Sequence, residues 1–117
     1  MSHIKQIYDT PLQVDTAWSD KKITINQKHR YIKTMQVNIN LIEIVEGKER
    51  YNVSGYIDLV DYISSYKRDN KPVESLPPDR YSRKTIDIQS VENIAPAVYA
   101  DLLSWLKSEG QNVQIVD

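Results

Sequence analysis

Residues 35–59 alternate apolar and polar side chains in the manner of a half-buried β-hairpin, and that stretch constrains the fold more than any other in the chain. Met35, Val37 and Ile39 alternate with polar residues, the apolar positions then change parity to Ile42 and Ile44, and Glu46, Gly47, Lys48 and Glu49 interrupt the run. Beyond the interruption, Tyr51, Val53, Gly55 and Ile57 resume a period of two. The pattern predicts a bulged hairpin over residues 33–57, turning at Gly47 and Lys48 as a two-residue type II′ loop. That turn pairs Ile44 with Tyr51 and Ile42 with Val53. An unbroken ladder would bring Asn40 and Asn38 to the core face. A bulge at Asn40 and Leu41 instead sets Ile39 opposite Gly55 and Val37 opposite Ile57. Gly55, lacking a side chain, is then where a twisted strand or a covering helix comes close.

The segments around the hairpin follow the same logic. Ile23 and Ile25 suggest a short strand, residues 26–29 read as a connection, and a strand begins near Tyr31, so the sheet grows as a meander. Residues 1–20 carry Ile4, Ile7, Leu12, Val14 and Trp18 without a clear period. They read as an arm that docks on this domain's own sheet or on a neighbouring subunit. After the hairpin, Asp58 can cap a short helix over about residues 59–67, with Leu59, Ile63 and Tyr66 on one side and Asp61 toward water. A proline-rich loop through Pro77 and Pro78 leads to a strand between Tyr81 and Ile88, and Ser90, Val91 and Glu92 suggest a helical turn.

The clearest helix spans about residues 96–109. Val98, Tyr99, Leu102, Leu103 and Leu106 form one arc on a 100° wheel, Pro96 suits the first turn, and Gly110 ends it. Val113, Ile115 and Val116 allow a last strand. The expected fold is therefore α+β: a mostly antiparallel sheet of four or five strands covered by the short helix and the C-terminal helix. A chain of 117 residues suits one domain spanning residues 1–117.

Composition excludes several kinds of chemistry. The chain has no cysteine, which removes disulfides, thiolate metal sites and cysteine nucleophiles. Its glycines are assigned to the turn, the strand approach and the helix stop, leaving none for a phosphate-binding loop. His3 and His29 have no second His or Cys at ligand spacing, so exposed loop histidines are the simpler reading, with no metal or cofactor expected. Glu46, Gly47 and Lys48 have the Glu-x-Lys form of metal-dependent nucleases, for which Asp15 would be a second acid. Such motifs sit on buried strands, and a solvated hairpin tip explains the triplet better. No G-x-S-x-G elbow accompanies a histidine, and Asp58 and Asp61 read as first-turn helix acids. No catalytic residue is assigned, and an enzyme is not expected.

Two binding readings remain. Eight Tyr and two Trp with no Phe leave amphipathic aromatics for a surface, and Trp18, Tyr31, Tyr56 and Tyr81 are the candidate protein contacts. Lys21, Lys22, Lys28, Arg30 and Lys33, extended by Arg83 and Lys84, could line a basic β-ribbon that contacts nucleic-acid phosphates or an acidic partner. Against that alternative stand a net charge of −1 and the use of edge lysines to prevent sheet aggregation. The leading expectation is a non-enzymatic protein-binding or assembly module that engages a protein partner or a second copy of itself. The N-terminus lacks an apolar signal region and no apolar run approaches membrane-spanning length, so a cytoplasmic protein with no membrane partner is expected. The bias toward Asn, Gln, Lys and Ile suits a bacterial or bacteriophage gene. Small phage products are often structural subunits, placed in the virion, or inhibitors of host proteins in the host cytoplasm.

Overall fold

The computed structural model describes residues 2–16, 19–63 and 75–117. These residues form strands β1 (His3–Thr16), β2 (Ser19–Val45), β3 (Lys48–Tyr62) and β4 (Arg83–Val91), helix α1 (Ile94–Ser108) and strand β5 (Asn112–Val116). The strands make one antiparallel sheet in the order β4-β3-β2-β1-β5. Strands β1 to β4 are a meander, and α1 carries the chain from the β4 edge back across the sheet to place β5 beside β1. The protein is an α+β fold dominated by its sheet, with one helix among the described residues. No described helix is long and apolar enough to cross a membrane.

Strand β2 is shared by two hairpins that point in opposite directions. Its residues 19–30 pair with β1, while residues 29–45 pair with β3. Of the segment expected to dock on this domain's own sheet or on a neighbouring subunit, residues 3–16 join this sheet as β1, between β2 and β5, with Ile4 fully buried. Residues 26–29 are no connection. They continue β2, because Lys28 and His29 are buried polar residues that a hydropathy pattern reads as loop.

The β2–β3 hairpin turns at Glu46 and Gly47, both with positive φ (53° and 78°), and Val45 pairs with Lys48. This is the type I′ geometry, which matches the twist of the strands it joins, rather than a type II′ loop at Gly47 and Lys48. Moving the turn by one residue moves the ladder. Ile44 faces Glu49, the bulge falls at Ile42, Ile39 faces Val53, Val37 faces Gly55 and Met35 faces Ile57. A second shift lies between Ile32 and Thr34. Gly55 has φ 150°, and a Cβ there would stand 2.1 Å from the Gln36 carbonyl oxygen. The close approach expected at this glycine is thus made by the neighbouring strand.

No helix begins at Asp58. β3 continues through Tyr62, with Ile57, Leu59 and Asp61 buried at a period of two. A carboxylate at the third inward position conceals that period in the sequence, because Asp61 is neutralised by partners distant along the chain. The rest of the expected helix, residues 64–67, lies outside the described residues. The chain from Leu76 to Ser82 folds back over β3, its backbone bonded at Leu76 N–H to Asp61 (2.7 Å) and at Leu59 N–H to Ser82 (2.7 Å). Residues 90–92 are no helical turn either. β4 reaches Val91 through a bulge at which Ser90 takes φ 53° and donates its N–H to Asn52 Oδ1 at 3.0 Å.

Helix α1 packs against part of one face of the sheet. Val98, Leu102 and Leu106, spaced four apart, are fully buried against Ile4, Val53, Ile57, Leu59, Ile86 and Val113. Tyr99, Leu103 and Trp105 pack at the margins of this core. The helix stops in a Schellman motif: Gly110 takes φ 82° and bonds Lys107 (3.0 Å), while Gln111 bonds Leu106 (3.0 Å).

Candidate functional site

Beyond the C-terminal end of α1, the covered face of the sheet becomes polar. Across β1, β2 and β3, Ile4, Arg30 and Asp61 stand side by side, and one pair further on Gln6 faces Lys28. Arg30 is fully buried. Its Nε donates to Asp61 Oδ1 (2.9 Å), Nη1 to Gln6 Oε1 (3.3 Å), and Nη2 to the Tyr81 carbonyl (2.8 Å) and Asp79 Oδ1 (3.2 Å). Lys28 Nζ lies 3.0 Å from Asp61 Oδ2 and 2.5 Å from Asp79 Oδ2. Gln6 in turn donates to Gln111. Burial pulls the Lys28 ammonium down, yet Asp61 and the Asp79 hydrogen bond outweigh it and hold it above its ordinary value. Burial pushes the Asp79 carboxyl up, but Lys28 and Arg30 outweigh that and hold it low.

Two cations and two carboxylates cancel within this network, so it carries no surplus charge for a ligand. Lys28 and Arg30, the centre of the basic ribbon expected from the sequence, spend their charge on the protein's own interior. Asp61, expected to face water on a helix, is their shared partner. The remaining basic candidates do not gather around them. Lys21 and Lys22 lie near the β1–β2 tip, and Lys33 lies on the exposed part of β2. Arg83 grips Asp58 (2.6 and 3.0 Å) over the Tyr56 ring, and Lys84 sits beside Asp101 (3.9 Å) and Trp105.

The opposite face holds the histidines. His3 and His29 are both buried, not exposed in loops, and His3 Nε2 shares a 2.8 Å hydrogen bond with His29 Nδ1. Tyr31 stacks on His3 at 4.4 Å and meets Tyr62 edge-on at 5.7 Å. Burial, then the charges of His3 and Lys5, push the His29 imidazole below its usual range. Among the described residues no group of three or more His, Cys, Asp or Glu could hold a metal ion. Glu46 and Asp15 stand near opposite ends of β2, too far apart to share one.

The tyrosines expected to meet a partner are dispersed. Tyr31 is buried with the histidines, half-buried Tyr56 hydrogen-bonds Gln36, and half-buried Tyr81 packs edge-on to Trp105 at 5.8 Å. Trp18 lies outside the described residues.

What is left uncovered is the far half of the β2–β3 hairpin. Cross-strand partners share a face, so Met35, Val37, Ile39 and Leu41, opposite Ile57, Gly55, Val53 and Tyr51, lie on the face that bears α1. Beyond the bulge Ile44 returns to that face. Met35, Ile39, Leu41, Ile42, Ile44 and Val45 are all exposed, Leu41 by 54% and Ile44 by 62%. The other face of the same arm is polar, with Thr34, Gln36, Asn38 and Asn40 beside Asp58, Tyr56, Ser54 and Asn52. A second apolar concavity of about 500 Å³ lies where α1 borders β5, lined by Ala95, Pro96, Tyr99, Leu103 and Ile115. The sequence showed the arm's apolar alternation but assigned it to the core, because alternation reports two unlike faces without saying what covers either.

In comparisons with known proteins, no family model, no curated protein and no solved structure matches the chain.

Proposed function

We propose that this protein is a binding or assembly module that engages a protein partner through the apolar face of the β2–β3 arm. The observation that carries this is the set of exposed Met35, Ile39, Leu41 and Ile44 on one face of a projecting hairpin. Isolated exposed apolar side chains are ordinary on protein surfaces. A contiguous set beside a polar face is typical of surfaces that are buried on association. The nucleic-acid alternative draws less support, since Lys28 and Arg30 are occupied by Asp61 and Asp79 and the arm itself is apolar.

The test is the triple variant Ile39→Thr, Leu41→Thr, Ile44→Thr. Threonine keeps the β preference while removing much of the apolar surface. Because these side chains lie outside the buried core, the thermal midpoint should stay within a few degrees of the original. Association, measured as solution mass over a range of concentrations and as binding of a cognate protein partner, should be lost. A variant that associates as the original does, or an original chain that stays strictly monomeric and binds no protein, would sink the proposal.

A further inference from the structure

The arm has an open edge as well as an apolar face. On the side of β2 away from β3, β1 pairs only as far as Arg30, so residues 33–45 have no strand partner among the described residues. An edge of this length, free of proline and bearing apolar side chains, is a template for another strand. We propose that it pairs with the same edge of a second copy of this chain, antiparallel about a two-fold axis at Asn38, joining the two sheets into one. The proposal rests on the arm being a protein-binding surface and names the partner.

The order of side chains along the edge selects both the partner and the register. With Asn38 on the axis, Met35 meets Leu41 of the second copy, Val37 meets Ile39, Gln36 meets Asn40, and Lys33 meets Glu43. Apolar residues meet apolar ones on the face bearing α1, and amides meet amides on the other face. A slip of one residue would set the apolar face of one copy against the polar face of the other. Re-centring on Val37 sets Lys33 against Leu41, and re-centring on Ile39 sets Glu43 against Met35, so each loses the charge pair. The bulges fit the same arrangement. Between them β2 is regular from Thr34 to Leu41, and they mark the two ends of the proposed contact. Glu43 lies beyond the bulge at Ile42 on the face it shares with Arg50, and Lys33 stands within electrostatic reach of Asp58 on that face. The two-fold operation therefore brings a cation and a carboxylate together at both ends, on one side of the joined sheet. Closed two-fold pairing of identical surfaces is the commonest form of self-association.

The experiment is sedimentation of the full chain and of two charge reversals, at concentrations of roughly 1–100 µM. Lys33→Glu alone and Glu43→Lys alone each place like charges at both ends of the contact, and each should weaken self-association by about tenfold or more. Mixed in equal amounts, the two variants can form a heterodimer in which both charge pairs are restored, so the mixture should associate as the original chain does. Glu43 also faces Arg50 across its own hairpin, so thermal midpoints are recorded alongside. A second variant reads the register without altering either charge. The chain has no cysteine, and Asn38→Cys should cross-link two copies rapidly on mild oxidation, whereas Gln114→Cys on the outer edge strand β5 should not. Dimers that cross-link through Gln114→Cys and not Asn38→Cys would overturn the proposal in favour of the β5 edge. A strict monomer that still binds another protein through the arm would overturn it while leaving the arm's role intact. A monomer with no arm-dependent binding would overturn both.

Discussion

Arg30 shows how far a single residue's role depends on partners that lie far away in sequence. A guanidinium with no exposed surface persists only where its donors are matched, and Asp61, Asp79, Gln6 and the Tyr81 carbonyl match them from three separate segments. Asp61 is the more deeply buried carboxylate and touches both cations, whereas Asp79 is partly open to water. Asp61→Ala leaves Lys28 and Arg30 sharing one half-open partner, and should cost about 3–5 kcal/mol in urea unfolding. Asp79→Ala should cost less, because water can reach the vacated position. If the two cost the same, the cluster is more hydrated in solution than its geometry implies.

At the scale of elements, α1 is the part whose sequence and structure agree most closely, with a helix expected near residues 96–109 and observed at Ile94–Ser108. Leu102 lies at the centre of its buried stripe, fully enclosed among core residues, while neighbouring Asp101 faces Lys84 across 3.9 Å at the protein's surface. Leu102→Ala should therefore cost about 2–5 kcal/mol through lost packing and the cavity left behind. Asp101→Ala should change stability by no more than about 0.5 kcal/mol, a weak surface ion pair being all it removes. Denaturant midpoints that moved equally for both would place the helix in the wrong rotation on the sheet. The hairpin behaves differently from the helix. Its existence was legible, but its register depended on whether the left-handed pair was Glu46 and Gly47 or began at Gly47, and a one-residue change there relocates the bulge and every pairing beyond it.

For the whole molecule, the buried titratable groups set a pH window of stability. His29 sits below its ordinary value of 6.5 because burial disfavours its charged form. Below about pH 6.5 the unfolded chain therefore takes up protons that the folded one resists, and stability is lost as pH falls from there. Asp79, held below its ordinary 3.8 despite burial, adds a second loss at still lower pH. Lys28, held above 10.5 against the pull of burial, contributes stability that is present below that value and disappears as pH rises through its raised folded value. The urea midpoint should be highest between about pH 6.5 and 10.5, falling first on the acid side. His29→Gln should remove the loss that sets in below about pH 6.5 while leaving the loss at lower pH. A midpoint in the original chain that does not begin to fall as pH drops below about 6.5 would show that the imidazole is not held neutral by the fold.

Side-chain periodicity along the chain was enough to specify its local structure: an alternating hairpin near residues 33–57, an amphipathic helix before Gly110, and a short last strand. These follow from backbone geometry, which puts every second residue of a strand, or every third and fourth of a helix, on one side. What met those sides depended on contacts between segments distant along the chain. Lys28, His29, Arg30 and Asp61 look like surface residues until strands from different parts of the chain align them, and the buried charge that breaks the alternation at Asp61 turned a strand into an expected helix. The candidate site was hidden for the opposite reason. Met35, Ile39, Leu41 and Ile44 carry the pattern of a core, and they stand exposed because α1 covers the neighbouring part of the sheet and β1 stops pairing with β2 at Arg30. Alternation specifies that one face is apolar; the length of the partner strand and the path of the helix determine whether this chain covers that face or leaves it exposed.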